Sequence, residues 1–234
     1  MSEVTFKSCI PGLDRLIERD IPIGSIVLVT GAPGTLKSAF VYSLMNKYLA
    51  RTRECGIYFT LEQSKENLIQ NMESLGIVKK ERGILEIVDF SEFRERFKDA
   101  DKGINMHRIA EDLIEYFKRT KKEKPTCFAL DSLTAMVPFM EEHALRSEIF
   151  HLFQLLRKNE LTSFIICEVP SLLGISEYSP EYYLGDGVIE LGIYKSGKKF
   201  GRYIQILKLR GTAHHLNRHR ILPVDGGLRV LGPV

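Results

Sequence analysis

The 234-residue chain predicts an α/β fold, a mainly parallel central sheet with antiparallel strands toward the C-terminus. Three observations carry that prediction. Short β-branched apolar runs alternate with segments whose apolar residues recur at helical spacing, the pattern of crossover units that lay strands side by side in parallel. A glycine-rich turn over residues 31–38 joins the first such run to the first such helix. After Gly174 the helical spacing ends, and strand-like runs broken by glycine pairs follow one another directly, which favours hairpins.

In chain order, Ser25 to Thr30 (Ser-Ile-Val-Leu-Val-Thr) reads as a strand buried on both faces. Phe40, Leu44, Tyr48 and Leu49 then mark a helix face. Gly56 to Leu61 is a second strand, and Leu68, Met72 and Leu75 line the helix after it. Ile84 to Val88 is a third, leading into a charged connection, Ser91 to Lys102, that reads as solvated surface. Met106, Ile109, Leu113 and Phe117 define the next helix, which ends in the basic stretch Lys118 to Lys124. Thr126 to Leu130 and Thr162 to Cys167 are strands on either side of a helix marked by Leu145, Ile149, Leu152, Phe153 and Leu156. Gly187 to Tyr194, Arg202 to Leu209 and Arg220 to Val230 are the hairpin strands.

The turn itself reads Gly31-Ala32-Pro33-Gly34-Thr35-Leu36-Lys37-Ser38, which fits the phosphate-binding pattern G-x-x-x-x-G-K-[ST] except that Leu36 replaces a glycine. Such a loop turns successive backbone N–H groups toward nucleotide phosphates. Lys37 supplies the ammonium for the β- and γ-phosphates, and Ser38 a hydroxyl for Mg²⁺. If Leu36 must take a positive φ, its side chain costs about 1–2 kcal/mol relative to glycine. If its backbone is helical, the cost is small and only the approach to phosphate is affected.

Open α/β sheets bind ligands beyond the carboxyl ends of their strands, and three acidic residues fall there. Asp131 fits the carboxylate that serves Mg²⁺ in phosphate-loop enzymes, or else caps a following helix. Glu62 is placed to orient or deprotonate a water in line with the γ-phosphate, or to cap the next helix. Glu168, at the tip of the neighbouring strand, is placed to sense the γ-phosphate. Near the C-terminus, Lys208 and Arg210 stand two apart on one strand, so they either present two charges to phosphates or form a solvated basic strand end.

Composition sets the frame. With 44% hydrophobic and 27% charged residues the chain has the make-up of a globular protein with one sizeable core. It lacks an apolar run long enough to span a bilayer or to form a signal-peptide core, so a cytoplasmic protein without membrane contact is expected. A net charge of +3 does not by itself point to nucleic acid. Cys9, Cys55, Cys127 and Cys167 are far apart and read as small buried hydrophobes rather than metal ligands.

Taken together, Ile10-Pro11-Gly12-Leu13-Asp14, Ile21-Pro22-x-Gly24-Ser25, the phosphate loop, Thr60-Leu61-Glu62, Leu130-Asp131-Ser132-Leu133 and Lys208-Leu209-Arg210-Gly211-Thr212 resemble the KaiC-like branch of the RecA superfamily. The resemblance runs from about residue 5 to the C-terminus. It implies a RecA-like three-layer αβα P-loop NTPase fold, with residues 1–234 as a single ATPase domain, and a homo-oligomer, commonly a hexameric ring, holding ATP between subunits. Carried over residue by residue, Gly34, Thr35, Leu36, Lys37, Ser38 and Ala39 would grip the phosphates. Ser38 and Asp131 would serve Mg²⁺, and Glu62 would position the attacking water. Lys208, Leu209, Arg210, Thr212 and His214 would reach the nucleotide of the adjacent subunit, with Arg210 as an arginine finger. Gln63 stands where the family often has a second glutamate, which together with Leu36 favours slow turnover or a nucleotide-gated module acting on a protein partner. A single-stranded-DNA accessory role is a further alternative, without a basic and aromatic groove in the sequence to support it.

Overall fold

The computed structural model describes residues 4–77, 85–96, 106–139, 142–169 and 184–234. Its centre is β1 (Ile26–Gly31), six consecutive buried residues. Parallel partners lie on both of its edges, β5 (Thr162–Glu168) on one and β6 (Gly187–Ser196) on the other. The sheet continues outward through β4 (Cys127–Asp131), β2 (Gly56–Thr60) and β3 (Leu85–Asp89), giving the order β3-β2-β4-β5-β1-β6-β7-β8-β9. On the other side β7 (Lys199–Leu209), β8 (His219–Val224) and β9 (Gly227–Pro233) add in antiparallel fashion. β6 therefore joins two regimes, parallel to β1 along one edge and antiparallel to β7 along the other.

Alternation along the strands splits the apolar side chains into two cores. Val27, Val29, Tyr58, Ala129, Phe164 and Ile166 face α1 (Lys37–Thr52) and α2 (Lys65–Ser74). Ile26, Leu28, Phe59, Phe128, Leu130 and Ile165 face α4 (Met106–Lys121) and α5 (Glu142–Lys158). The three-layer αβα arrangement follows, and the helix-spaced residues of the sequence are those it buries: Phe40, Leu44, Tyr48 and Leu49 on α1, Ile109, Leu113 and Phe117 on α4, and Ile149, Leu152, Phe153 and Leu156 on α5.

One expectation changes. The charged connection after β3 begins with a short helix, α3 (Phe90–Arg96), whose Phe93 is buried edge-on to Phe59 at 5.8 Å. Asp89 starts this helix by accepting the Glu92 N–H at 2.8 Å. Seven residues give too few apolar repeats for a periodicity to register. Ile84, residues 97–102 and Gly174 lie outside the described residues. The four cysteines are free and buried, and burial pushes the thiols of Cys9 and Cys55 up to about 11 and about 12.

The opening Ile-Pro-Gly-Leu-Asp segment closes the α1 side of the core. Ile10 and Leu13 are fully buried, and the Pro11 carbonyl accepts the Val230 N–H of β9 at 2.8 Å. Between them Gly12 has φ +88°, and a Cβ there would collide with the Val230 carbonyl oxygen. Gly12→Ala is thus expected to lower the unfolding free energy by about 2–4 kcal/mol in urea titrations. A loss under about 0.5 kcal/mol would show that this segment is not held against β9 in solution.

Candidate functional site

The parallel strands all end at one edge of the sheet, and β1 delivers the glycine-rich loop there. Leu36 takes φ 76° and ψ 23° and forms the N-cap of α1. The loop therefore carries the left-handed strain of about 1–2 kcal/mol, while the Leu36 side chain packs partly buried against the α1 core. Gly34, two residues earlier, also has positive φ (79°), with open space where a Cβ would stand. The first backbone hydrogen bond of α1 runs from Phe40 N–H to Leu36 O at 2.8 Å. The leading N–H groups of Lys37, Ser38 and Ala39 thus project from the helix N-terminus, where partial positive charge favours an anion.

Side chains fix the loop from within. Thr35 Oγ1 donates to the Ala32 carbonyl at 2.7 Å, and Lys37 Nζ donates to the same carbonyl at 3.0 Å. Lys37, only 6% exposed, also pairs with Glu168 of β5 at 3.1 Å. Ala39 is buried in the core, so only its backbone faces the loop side. The Gly34 carbonyl accepts from Arg202 Nε of β7 at 2.9 Å, a contact that nothing in the spacing of the sequence announces.

Next to the loop, β4 and β2 bring in a second group. Asp131, 2% exposed, accepts from the Tyr58 hydroxyl at 2.7 Å and is hydrogen-bonded to Ser38. Burial pushes the Asp131 carboxyl above its usual range, against the pull of those two hydroxyls and of the Lys37 charge. A serine hydroxyl and a carboxylate side by side suit Mg²⁺, a hard cation that takes one or two protein ligands and fills the rest of its octahedron with phosphate and water oxygens. Among the described residues no group of three or more His, Cys, Asp or Glu side chains is arranged to hold a metal without such help.

Glu62 is exposed at the end of β2 and accepts a hydrogen bond from Ser132 Oγ. The capping alternatives for Glu62 and Asp131 do not occur. Ser64 caps α2 by accepting from the Asn67 N–H, and Ser132 accepts from the Ala135 N–H at the short helix Thr134–Phe139. Gln63 is engaged elsewhere, its side-chain oxygen accepting from Asn71 at 2.9 Å. Tyr58 and Arg202 had no signal in the sequence, because each acts through a partner far away in the chain, and Ser132, present in the Leu-Asp-Ser-Leu run, gave no sign of its bond to Glu62 70 residues away.

The late basic cluster is at the opposite edge. Lys208 Nζ donates to the Gly185 carbonyl at 2.6 Å, and Arg210 Nη1 meets Asp186 at 3.3 Å. Leu209 is buried opposite Gly187. Asp186 in turn bonds Ile26, the first residue of β1. Arg210 is therefore separated from its own chain's loop by the length of β1, about 16 Å for five residue steps. Thr212 and His214 run beside the N-terminal segment, where Thr212 Oγ1 accepts from the Arg19 N–H at 2.8 Å and His214 bridges Ile17.

Comparison with known proteins places this geometry. The family model described as "ATPase: KaiC" matches residues 6–233. The circadian clock oscillator protein KaiC of Parathermosynechococcus lividus is 28% identical over 226 residues, which are 94% of this chain and 41% of that protein. The chain thus spans about two fifths of the length of the KaiC proteins it matches. A UPF0273 protein of Thermotoga maritima is 31% identical over 95% of this chain and 93% of its own length. The crystal structure of a KaiC-like protein from Pyrococcus horikoshii OT3 superposes with a TM-score of 0.77 at 27% identity, covering 95% of this chain and 96% of that one.

A carboxyl whose folded-state pKa lies above its unfolded one disfavours folding at high pH, and that penalty is relieved as the pH falls through the folded value. Asp131→Asn is accordingly expected to raise the thermal unfolding midpoint of the nucleotide-free protein at pH 7. The gain should shrink on acidification through the carboxylate range. A gain that grew as the pH fell would mean that the fold favours the ionised form.

Proposed function

The chain belongs to the KaiC family of ATPases, and from that premise we propose that it is a Mg²⁺-dependent ATPase whose working sites form between copies of itself. Residues 1–234 act as one ATPase domain, and turnover is coupled to regulating or remodelling a protein partner. The observation that carries this reading is the separation within one chain. The phosphate loop, Glu62 and the Ser38–Asp131 pair share the carboxyl edge of the sheet, while Lys208 and Arg210 are held at the amino edge. A head-to-tail contact would bring one subunit's amino edge to the next subunit's loop, and repetition of such a contact gives a ring, as in a hexamer, when the rotation between neighbours closes.

In this reading the N–H groups of Gly34 to Ala39 cradle the phosphates, and Lys37 leaves Glu168 to offset their charge. Ser38 and Asp131 would hold Mg²⁺, which when bound neutralises charge building on the phosphoryl oxygens. Glu62, oriented by Ser132, orients and deprotonates the attacking water. Arg210 of the neighbouring subunit stabilises the transferring phosphoryl, with Lys208, Leu209, Thr212 and His214 shaping the same edge. A second reading, nucleotide binding with little turnover, is favoured by the strained Leu36 and by the engagement of Gln63 with Asn71.

Glu62→Gln is expected to lower phosphate release by about 10²-fold or more while ATP binding persists, and Lys37→Ala to abolish binding. Tight ATP binding without release in the wild type would establish the second reading. For the division between subunits, Lys37→Ala alone is expected to be inactive and Arg210→Ala alone to be slowed about 10²-fold or more but still measurable, and the two are expected to recover turnover when mixed, since one keeps the arginine and the other the loop. A mixture no more active than its parts would rule out the shared site.

A further inference from the structure

One short turn at the head of β6 organises the amino edge of the sheet. The Asp186 N–H donates to the Ile26 carbonyl at 2.8 Å, and Asp186 Oδ2 accepts from the Ile26 N–H at 3.0 Å, so the turn is clamped to the first residue of β1. The same carboxylate holds two guanidinium groups. Oδ2 accepts from Arg157 Nη2 of α5 at 3.1 Å, and Oδ1 pairs with Arg210 Nη1 at 3.3 Å. The backbone repeats the grip, because the Asp186 carbonyl accepts the Arg210 N–H at 2.9 Å and the Gly185 carbonyl accepts Lys208 Nζ at 2.6 Å.

The two arginines are not equivalent. Arg157 also donates to the Leu184 carbonyl at 3.0 Å and is the more enclosed, 33% exposed against 59% for Arg210. A guanidinium has five N–H donors in a rigid fork, and Asp186 meets that of Arg210 through Nη1 while the side chain stays largely exposed. Among the described residues, this cluster sets one carboxylate against three cations, Arg157, Lys208 and Arg210. Burial tends to raise the Asp186 carboxyl, but the hydrogen bonds from Ile26, Arg157 and Arg210 outweigh it and hold the group below its usual carboxylate range.

We propose that Asp186 is the positioning residue for Arg210, tethering its guanidinium at the amino edge so that it is presented, already oriented and still charged, to the nucleotide phosphates of the adjacent subunit. This rests on the between-subunit reading given above. The tether matters because a free arginine samples many rotamers, whereas stabilising a transferring phosphoryl demands placement within a fraction of an ångström. The competing role for the same contact is sequestration, in which Asp186 would hold Arg210 back from the neighbour's phosphates.

The test is steady-state ATP turnover by the full chain, with thermal unfolding recorded in parallel, for Asp186→Asn, Arg210→Ala and the double variant. Asp186→Asn keeps an oxygen for the Ile26 N–H and removes the charge that holds Arg210. The expected result is a turnover lowered about tenfold or more at saturating ATP, an unchanged half-saturating ATP concentration, and no further loss when the change is added to Arg210→Ala. Asp186→Glu, which keeps the charge but moves it by one methylene, should fold normally and lose less turnover than Asp186→Asn. An equal fold-loss with and without Arg210 would assign Asp186 a structural role and overturn the inference. Turnover that rose in Asp186→Asn would establish sequestration instead. If Arg210→Ala alone left turnover at the wild-type level, the between-subunit reading itself would fail and this inference with it. If Arg210→Ala were slow but Asp186→Asn were not, the inference alone would fall.

Discussion

The arrangement depends on β1 being buried on both faces and paired on both edges. A strand in that position has no freedom to slip, because a one-residue shift would exchange Val27 and Val29 with Ile26 and Leu28 between two cores of different shape. Its two ends are fixed with it. At one end it hands the chain to the phosphate loop, and at the other it is locked to Asp186. The distance between loop and basic edge is therefore built into the sheet, and one chain cannot bring the two together by a local change.

Electrostatics at the carboxyl edge follows from the same burial. Lys37 is enclosed, so its charge needs partners, and it finds them in the Ala32 carbonyl and Glu168. An incoming phosphate would replace one anion by another, so the ammonium need not be left without a counter-charge at any stage. Asp131 is enclosed as well, hydrogen-bonded to two hydroxyls with the Lys37 charge acting on it through space, and burial outweighs them, which leaves its charge only partly compensated. Such a carboxylate favours a divalent cation nearby.

Leu36 adds a cost that the scaffold absorbs. The left-handed backbone that a glycine would adopt freely is kept, and the isobutyl group recovers part of the strain by packing against the α1 core. The turn is thus retained without the residue that most easily makes it. Arg202, tied to the Gly34 carbonyl from β7, braces the same loop from the antiparallel half of the sheet.

The sequence by itself determined the fold class, the alternation of strands and helices along the chain, the burial of the helix faces and the phosphate loop, because each of these is written in local periodicity or in contiguous residues. It also placed Glu62, Asp131 and Glu168 at strand tips. It left open whether Leu36 is helical or left-handed, whether Glu62 and Asp131 cap helices, and whether Lys208 and Arg210 are a solvated end. Tertiary structure decided the first two through the turn's geometry and through Ser64 and Ser132, which take the capping roles. It alone joined Lys37 to Glu168, Tyr58 to Asp131 and Arg210 to Asp186. Those pairs are 131, 73 and 24 residues apart in the chain, so no local pattern encodes them. They arise only when the packing of the sheet fixes which strand lies beside which.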